Sequence, residues 1–280
     1  MTEAAGPGRA PASVPLRFTD AHARIEEDTV VPGAHVLLIG EHEQSHVNTA
    51  DPDSVFYAYL DRMRNGIEAF FPAGAPLRVA HVGAGALTLA RALESRRPGG
   101  EHTAVDLEPR LLPFVLERLP FSGALACVSA DGRAWAEKTA AQGGSAFDLV
   151  VVDIFTGADS PAHLAEEGFY ALLLRLLWEP GADARGEAWP GGLLAVNLGD
   201  DPPLDFTARQ IAHLRRAAGD ESRVVLGTEP EMLGRTVPGN SIALVAPGGF
   251  EEGFADRWAA AGPHPAWAGR GLELDEALGL

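Results

Sequence analysis

Three aspartates close three runs that read as strands: Asp106 after Thr103-Ala104-Val105, Asp131 after Val128-Ser129-Ala130, and Asp153 after Leu149-Val150-Val151-Val152. Ahead of them, His81-Val82-Gly83-Ala84-Gly85-Ala86-Leu87-Thr88 places Gly83 and Gly85 at the end of another such run. A glycine pair between strand and helix permits a tight turn and lets a nucleoside approach the backbone at a helix N-terminus. An acid at the tip of the next strand, about twenty residues on, can accept hydrogen bonds from both ribose hydroxyls. Asp106 is that acid; the plainer alternative makes it the N-cap of a helix starting near Pro109. Asp131, followed by Gly132, can accept a hydrogen bond from an adenine amino group, cap the next helix, or do both. Asp153 stands at the carboxyl edge of the sheet, where ligands bind in open α/β folds. Partial burial there raises a carboxyl pKa and suits it to accept a proton.

The elements that must position these residues alternate. Strands are expected over 77–82, 102–107, 124–129, 147–154 and 192–198, separated by helices over 87–95, 109–119, 133–141 and 161–178. Runs such as Leu149-Val150-Val151-Val152 are apolar on both faces, as parallel strands covered by helices should be. Two last strands, 223–226 and 241–245, are joined by a loop too short for a crossover helix, so an antiparallel pair is expected. Together these predict an α/β chain with the Rossmann-like fold of class I S-adenosylmethionine-dependent transferases, a mostly parallel sheet with an antiparallel ending. Ahead of it, 23–31 and 34–47 read as a β-hairpin turning at Pro32-Gly33, and a helix is expected from Asp51-Pro52 carrying Val55, Phe56, Tyr59, Leu60, Met63, Ile67 and Phe70 on one face. The division is a flexible tail over 1–20, the hairpin region over 21–50, and the nucleoside-binding catalytic domain over 51–280.

Composition narrows the function classes. The 280 residues include 22 basic and 39 acidic side chains, a formal net charge of −17. Such a surface repels nucleic acid and anionic lipid and attracts small cations, so neither nucleic acid nor membrane is an expected partner. The single cysteine, Cys127, excludes an internal disulfide framework and multi-cysteine metal sites and suits a cytoplasmic location. Cys127 sits in an apolar strand and is expected to be inert. No apolar run reaches the length of a membrane span, and the N-terminus lacks the order of a secretion signal.

In order along the chain, Gln44-Ser45, the Gly83/Gly85 turn, Val105-Asp106-Leu107-Glu108, Asp131-Gly132, Val151-Val152-Asp153 and Pro190-Gly191-Gly192 resemble the spermidine synthase family of polyamine aminopropyltransferases. The likeness runs from about residue 34 to 246 and is nearest to the divergent spermidine-synthase-like proteins of actinobacteria, through Asp153-Ile154-Phe155-Thr156-Gly157, Pro161-Ala162-His163-Leu164 and Gly239-Asn240. The resemblance implies that decarboxylated S-adenosylmethionine, or S-adenosylmethionine itself, is the donor substrate and a small cationic amine the acceptor, with no metal. It implies that Asp106 and Asp131 hold ribose and adenine, that Gln44 lines the site, and that Asp153 helps remove the amine proton. It also implies a homodimer or homotetramer. Three positions depart from the pattern. The family's aspartate for the aminopropyl ammonium reads Ala86, its second acid after Asp153 reads Thr156, and its Tyr-His pair reads Phe56-Tyr57 after a few inserted residues. Tyr57 and Thr156 thus become the substrate-side candidates, with Asp159, Asp200 or Asp201 available to replace a lost anchor.

Two other readings stay open: a methyl or alkyl transferase using intact S-adenosylmethionine, and a non-catalytic nucleoside-binding homologue. Against a standard methyltransferase, His81 stands where an acid usually precedes the glycine turn and Leu87 replaces its third glycine. His42 and His46, flanking Glu43, read as part of a solvated polar strand rather than a metal site. His163 reads equally as a helix start or a ligand contact, and Trp135, Trp178 and Trp258 as helical core or interface residues.

Overall fold

The computed structural model describes residues 13–143, 146–154, 160–182 and 188–280. Strands β1 (Ser13–Pro15), β2 (His22–Glu27), β3 (Ala34–Ile39) and β4 (His42–Asn48) form an antiparallel four-stranded sheet in that order. The hairpin expected over 21–50 is therefore the middle of a larger sheet. The segment expected as one strand turns at Gly40 (φ +61°) and Glu41, and β1 comes from within the expected tail.

Helix α1 (Ala58–Phe70) starts seven residues after Asp51. The expected start is overturned because the segment before it is drawn into other contacts. Asn48 Oδ1 accepts from the backbone N–H groups of Ala50 and Asp51, Arg64 donates to the Asp53 carbonyl, and Arg96 pairs with the Asp53 carboxylate. Val55 and Phe56 consequently lie outside the helix, whose core face is Leu60, Met63 and Ile67.

From there strands and helices alternate as the apolar pattern predicts: β5 (Arg78–Val82), α2 (Thr88–Arg96), β6 (Glu101–Asp106), α3 (Leu111–Arg118), β7 (Ala124–Ser129), α4 (Gly132–Ala141), β8 (Leu149–Val152) and α5 (Glu167–Leu174). The helix expected over 161–178 is shorter, with a separate 3-10 turn at Ala162–Leu164 before it. Trp178 lies beyond its end and is substantially exposed, whereas Trp135 and Trp258 are buried. A short antiparallel pair, β9 (Gly181–Ala182) and β10 (Ala188–Trp189), precedes β11 (Leu193–Asp200) and α6 (Asp205–Ala218). The chain ends with β12 (Val224–Thr228), α7 (Pro230–Leu233), β13 (Gly239–Val245), α8 (Phe254–Ala261), β14 (Trp267–Gly269) and α9 (Gly271–Leu278).

The main sheet has the order β14-β12-β13-β11-β8-β5-β6-β7. Its pairs from β11 to β7 are parallel; β13 returns antiparallel between β11 and β12, and β14 adds an antiparallel edge that the sequence did not suggest. In β8 the period of two divides the apolar run cleanly. Val150 and Val152 face one core with Phe169, Leu173 and Ile211; Leu149 and Val151 face the other with Met63, Leu89 and Trp258. The N-terminal sheet packs Ala23, Ile25, Leu37 and Val47 against Phe114 and Val115 of α3, over the carboxyl edge of the parallel strands. Cys127 is exposed on the edge strand β7, so it is not the buried thiol its apolar run suggests; partial burial still raises its thiol pKa. Among the described residues no helix is long and apolar enough to cross a membrane.

Candidate active site

A cleft of about 470 Å³ opens where the carboxyl ends of β5, β6, β8 and β11 meet β4 and the start of α1. Gln44, Gly83, Gly85, Asp106 and Asp153 all line it. The glycine turn is fixed on three sides. The Gly83 N–H donates to the Val105 carbonyl at 2.9 Å, the Asp153 N–H donates to the Val82 carbonyl at 2.9 Å, and Leu87 closes a turn onto Ala84 at 2.8 Å. Gly83 has φ +80°, and a Cβ there would sit 2.4 Å from the Asp153 carbonyl oxygen, so only glycine lets the two strand tips meet.

Asp106 accepts from the Glu108 N–H at 2.9 Å and from the Ala84 N–H, which ties the second strand to the glycine turn. Burial pushes its pKa up, and these two backbone bonds act against that rise. Glu108, which also lines the cleft, has both carboxylate oxygens taken up: they accept from the backbone N–H groups of Arg17 and Phe18 at 2.7 and 2.6 Å. That residue latches the N-terminal sheet to the Asp106 side of the cleft.

Asp153 is held by uncharged donors. Asn197 Nδ2 donates to one oxygen at 2.8 Å and the Tyr59 hydroxyl to the other at 3.3 Å. Burial raises its pKa above the ordinary carboxylate value, and the two hydrogen bonds counter only part of that rise. Tyr59 is itself pushed far above its usual value, by burial first and then by the Asp153 charge, so its hydroxyl stays a donor. Tyr59 and Asn197 are the residues that sequence reasoning missed. Tyr59 fits the apolar spacing of α1, which conceals it; the one signal for Asn197 is a lone amide in Leu193-Leu194-Ala195-Val196-Asn197-Leu198. Tyr59→Phe is expected to lower turnover by about tenfold. It should also move the acid limb of the rate profile to higher pH, since the lost bond favoured ionised Asp153; a pH–kcat profile of the variant checks both.

Gln44 reaches the cleft through a β-bulge. Leu37 pairs with Ser45 and Leu38 with Glu43, leaving Gln44 as the extra residue. A regular strand sends alternate side chains to opposite faces, whereas the bulge lets Glu43, Gln44 and Ser45 all line the cleft. Ser45 Oγ accepts from the Ala86 N–H at 3.1 Å, and the Thr88 hydroxyl donates to the His46 carbonyl at 3.1 Å, so β4 clamps the start of α2.

The other candidates lie elsewhere. Asp131 caps α4, accepting from the Arg133 and Ala134 N–H groups at 3.0 Å each, and its second oxygen meets His163 Nε2 at 2.7 Å. Burial alone would raise its pKa, but the His163 bond and the backbone donors bring it below the usual value. Neither Asp131 nor Gly132 is among the lining residues; Gly132 opens α4 against Val82. Tyr57 does not line the cleft either: its hydroxyl donates to Glu43 at 3.3 Å, and burial, then the Glu43 charge, push its pKa up to about 12. Thr156 and Asp159 lie outside the described residues. Asp200 is spent at the start of α6, accepting from the Thr207 and Asp201 N–H groups at 2.7 and 2.9 Å. Ala86 is buried under the N-terminal sheet and does not line the cleft. His46 is not solvated: it is buried, 2.9 Å from Asp28, and stacked on Phe56. His81 lines the cleft 3.1 Å from His102, and burial together with that neighbour holds its pKa well below the usual histidine value, which keeps the ring neutral.

No protein-family model and no curated protein matches the sequence. Solved structures do. A probable spermidine synthase from Corynebacterium glutamicum is 22% identical, aligned over 98% of this chain and 94% of its own, with a TM-score of 0.80. A spermidine synthase in complex with the transition state analogue AdoDATO is 13% identical over 96% of this chain and 88% of its own, at 0.56. Human methyltransferase-like protein 13 in complex with SAH is 16% identical over 80% of this chain and 94% of its own, at 0.55. At these identities the likeness shows the fold: the chain has the Rossmann-like architecture that spermidine synthases share with S-adenosylmethionine methyltransferases.

Proposed function

We propose that this chain is an alkyl transferase of the aminopropyl type, binding decarboxylated S-adenosylmethionine and passing its aminopropyl group to a small amine. The observation that carries the reading is the charge of the cleft. Four carboxylates line it, Glu43, Asp106, Glu108 and Asp153, and among the described lining residues there is no lysine or arginine. A decarboxylated donor and an amine acceptor are both cationic and suit such walls. Intact S-adenosylmethionine brings an α-carboxylate that would meet acids and find no counter-charge, which ranks methyl transfer second. Ala86, buried and without a charge, is the observation in favour of that second reading.

The chain's own groups divide the work. Asp106, at the tip of β6 beside the glycine turn, is placed for the ribose hydroxyls. Asp153 receives the acceptor. An alkylammonium has a pKa near ~10 and is no nucleophile until it loses a proton. Asp153 draws the cation in and takes that proton; Tyr59 and Asn197 fix its two oxygens in position. The new N–C bond forms as the C–S bond breaks, and the sulfonium leaves as neutral methylthioadenosine, so the charge that disappears from sulfur is balanced by the proton lost from nitrogen.

Calorimetry tests the reading with methylthioadenosine, the decarboxylated donor and the intact donor. The decarboxylated donor should bind more tightly than the intact one and, with an amine, release methylthioadenosine detectable by mass spectrometry. Tighter binding of the intact donor overturns the donor assignment, and a protein that binds none of the three is no nucleoside enzyme.

A further inference from the structure

The two larger sheets have four edge strands, and three of them are blunted. β1 is three residues long and ends in Pro15, and β14 is three residues long. β4 carries the bulge at Gln44 and is clamped to the start of α2 by Ser45 and the His46 carbonyl. Short strands, proline, bulges and covering helices keep a sheet edge from pairing with another chain. β7 has none of these devices. It is six residues long, Ala124-Leu125-Ala126-Cys127-Val128-Ser129, without a charge or a proline. Among the described residues it pairs with β6 alone, in unbroken register, and Ala124, Ala126, Cys127 and Ser129 are exposed. The ladder with β6 decides which backbone groups are left over. In a parallel pair one residue turns its N–H and C=O toward the partner strand and the next turns both away. The Ala130 N–H donates to the Asp106 carbonyl at 3.0 Å, so Ala130 and, by alternation, Val128, Ala126 and Ala124 face β6. Leu125, Cys127 and Ser129 therefore turn their N–H and C=O groups outward.

We propose that β7 is the surface through which two copies of this chain associate, joining their eight-stranded sheets into one continuous sheet about a two-fold axis at Cys127. The outward set is its own complement. An antiparallel copy of β7 places Cys127 opposite Cys127 and Leu125 opposite Ser129, and every outward donor meets an outward acceptor. A two-fold axis generates that arrangement, with the same patch on both partners. The flanking helices fit it. α3 covers one face of β7 and α4 the other: Leu125 packs on the cluster that holds Leu112, and Val128 on the cluster that holds Trp135. Glu117 and Arg118 on α3 and Arg133, Glu137 and Lys138 on α4 are charges of both signs, so the net charge of −17 is not concentrated at this edge. The pairing uses up both copies of the edge, and assembly through it stops at two.

Sedimentation velocity and thiol cross-linking test this. The wild-type chain should sediment as a dimer at micromolar concentration. Opposed Cα atoms in a hydrogen-bonded antiparallel pair lie about 5.5 Å apart, and Cys127 is the only cysteine of the chain. A short bismaleimide should therefore join two wild-type chains through that residue. Cys127→Ser should dimerise as wild type does and form no cross-link. Cys127→Lys sets two like charges face to face on the axis and should weaken the dimer about tenfold. The cross-link is read on the wild-type chain, so it decides the matter whether or not Cys127→Lys folds. A wild-type chain that sediments as a monomer overturns the proposal. So does a dimer that forms no Cys127 cross-link, or one that persists undiminished in a folded Cys127→Lys variant.

Discussion

Asp153→Asn is expected to reduce turnover by about 10²–10⁴-fold, the range for loss of a positioned general base, with methylthioadenosine affinity nearly unchanged. The asparagine keeps the size of the side chain and a carbonyl oxygen for a donor at that position, so the fold of the cleft edge survives. What it cannot do is accept a proton. Steady-state release of methylthioadenosine, beside calorimetric titration of the same nucleoside, separates the two effects; turnover within a fewfold of wild type would remove Asp153 from the base role. The pH dependence has a definite sign. Burial raises the Asp153 pKa in the folded chain, so the acid limb of the wild-type profile lies above the ordinary carboxylate range. The same shift means that the folded state binds this proton more tightly than the unfolded one. Its contribution to stability is therefore greatest below the unfolded value and falls as pH rises through the folded one. Asp153→Asn removes that loss, so the variant should melt at a higher temperature than wild type near neutral pH. The difference should close near pH ~4.

Gly83→Ala should be among the most damaging single-methyl changes in the chain. The added carbon would lie 2.3 Å from Ile154 Cγ2 and 2.4 Å from the Asp153 carbonyl oxygen, at a residue with φ +80°. A side-chain obstacle can rotate away; the carbonyl belongs to the strand tip that carries Asp153. Left-handed backbone costs about 1–2 kcal/mol for a residue with a Cβ, and overpacking adds about 1–3 kcal/mol. Urea unfolding should show a loss of about 2–5 kcal/mol on that sum, together with weakened nucleoside binding, because relief of the clash displaces Asp153 from Val82. Gly85→Ala is the informative contrast. Its Cβ would meet only the Ser45 side chain, with Oγ at 2.5 Å. Combining it with Ser45→Ala should recover part of its own loss, and no comparable partner exists for Gly83. A Gly83→Ala protein as stable as wild type would show that the turn relaxes without moving the strand.

Much of the architecture is legible in the sequence because two-sided burial leaves a strong trace. Leu149-Val150-Val151-Val152, β-branched and apolar on both faces, reads as a covered strand, and an acid that ends such a run falls at the carboxyl edge by chain direction alone. Asp106 and Asp153 do line one cleft, together with the glycine turn. Asp131 stands apart for a reason no local pattern carries: its partner His163 is supplied by a turn 32 residues on. The bulge at Gln44 has no compositional mark either, since one extra residue in a polar strand looks like an ordinary strand, yet it decides that Glu43 faces the cleft. The start of α1 fails for a related reason. Asp51-Pro52 is a sound local signal for a helix, and it is overridden by Arg64 and Arg96 drawing Asp53 into long-range contacts. Tyr59 is masked by chemistry, because a tyrosine at core spacing reads as packing until its hydroxyl is seen to end on a carboxylate.

Asp106 and Glu108 are separated by one residue; the first is tied to the glycine turn and the second holds the main chain of Arg17 and Phe18. A nucleoside that stiffens this short turn would therefore be felt at once by a separate layer of the molecule. Amide exchange should slow at the β1–β2 corner when methylthioadenosine is added, although the ligand need not touch it, and Glu108→Gln should loosen that corner.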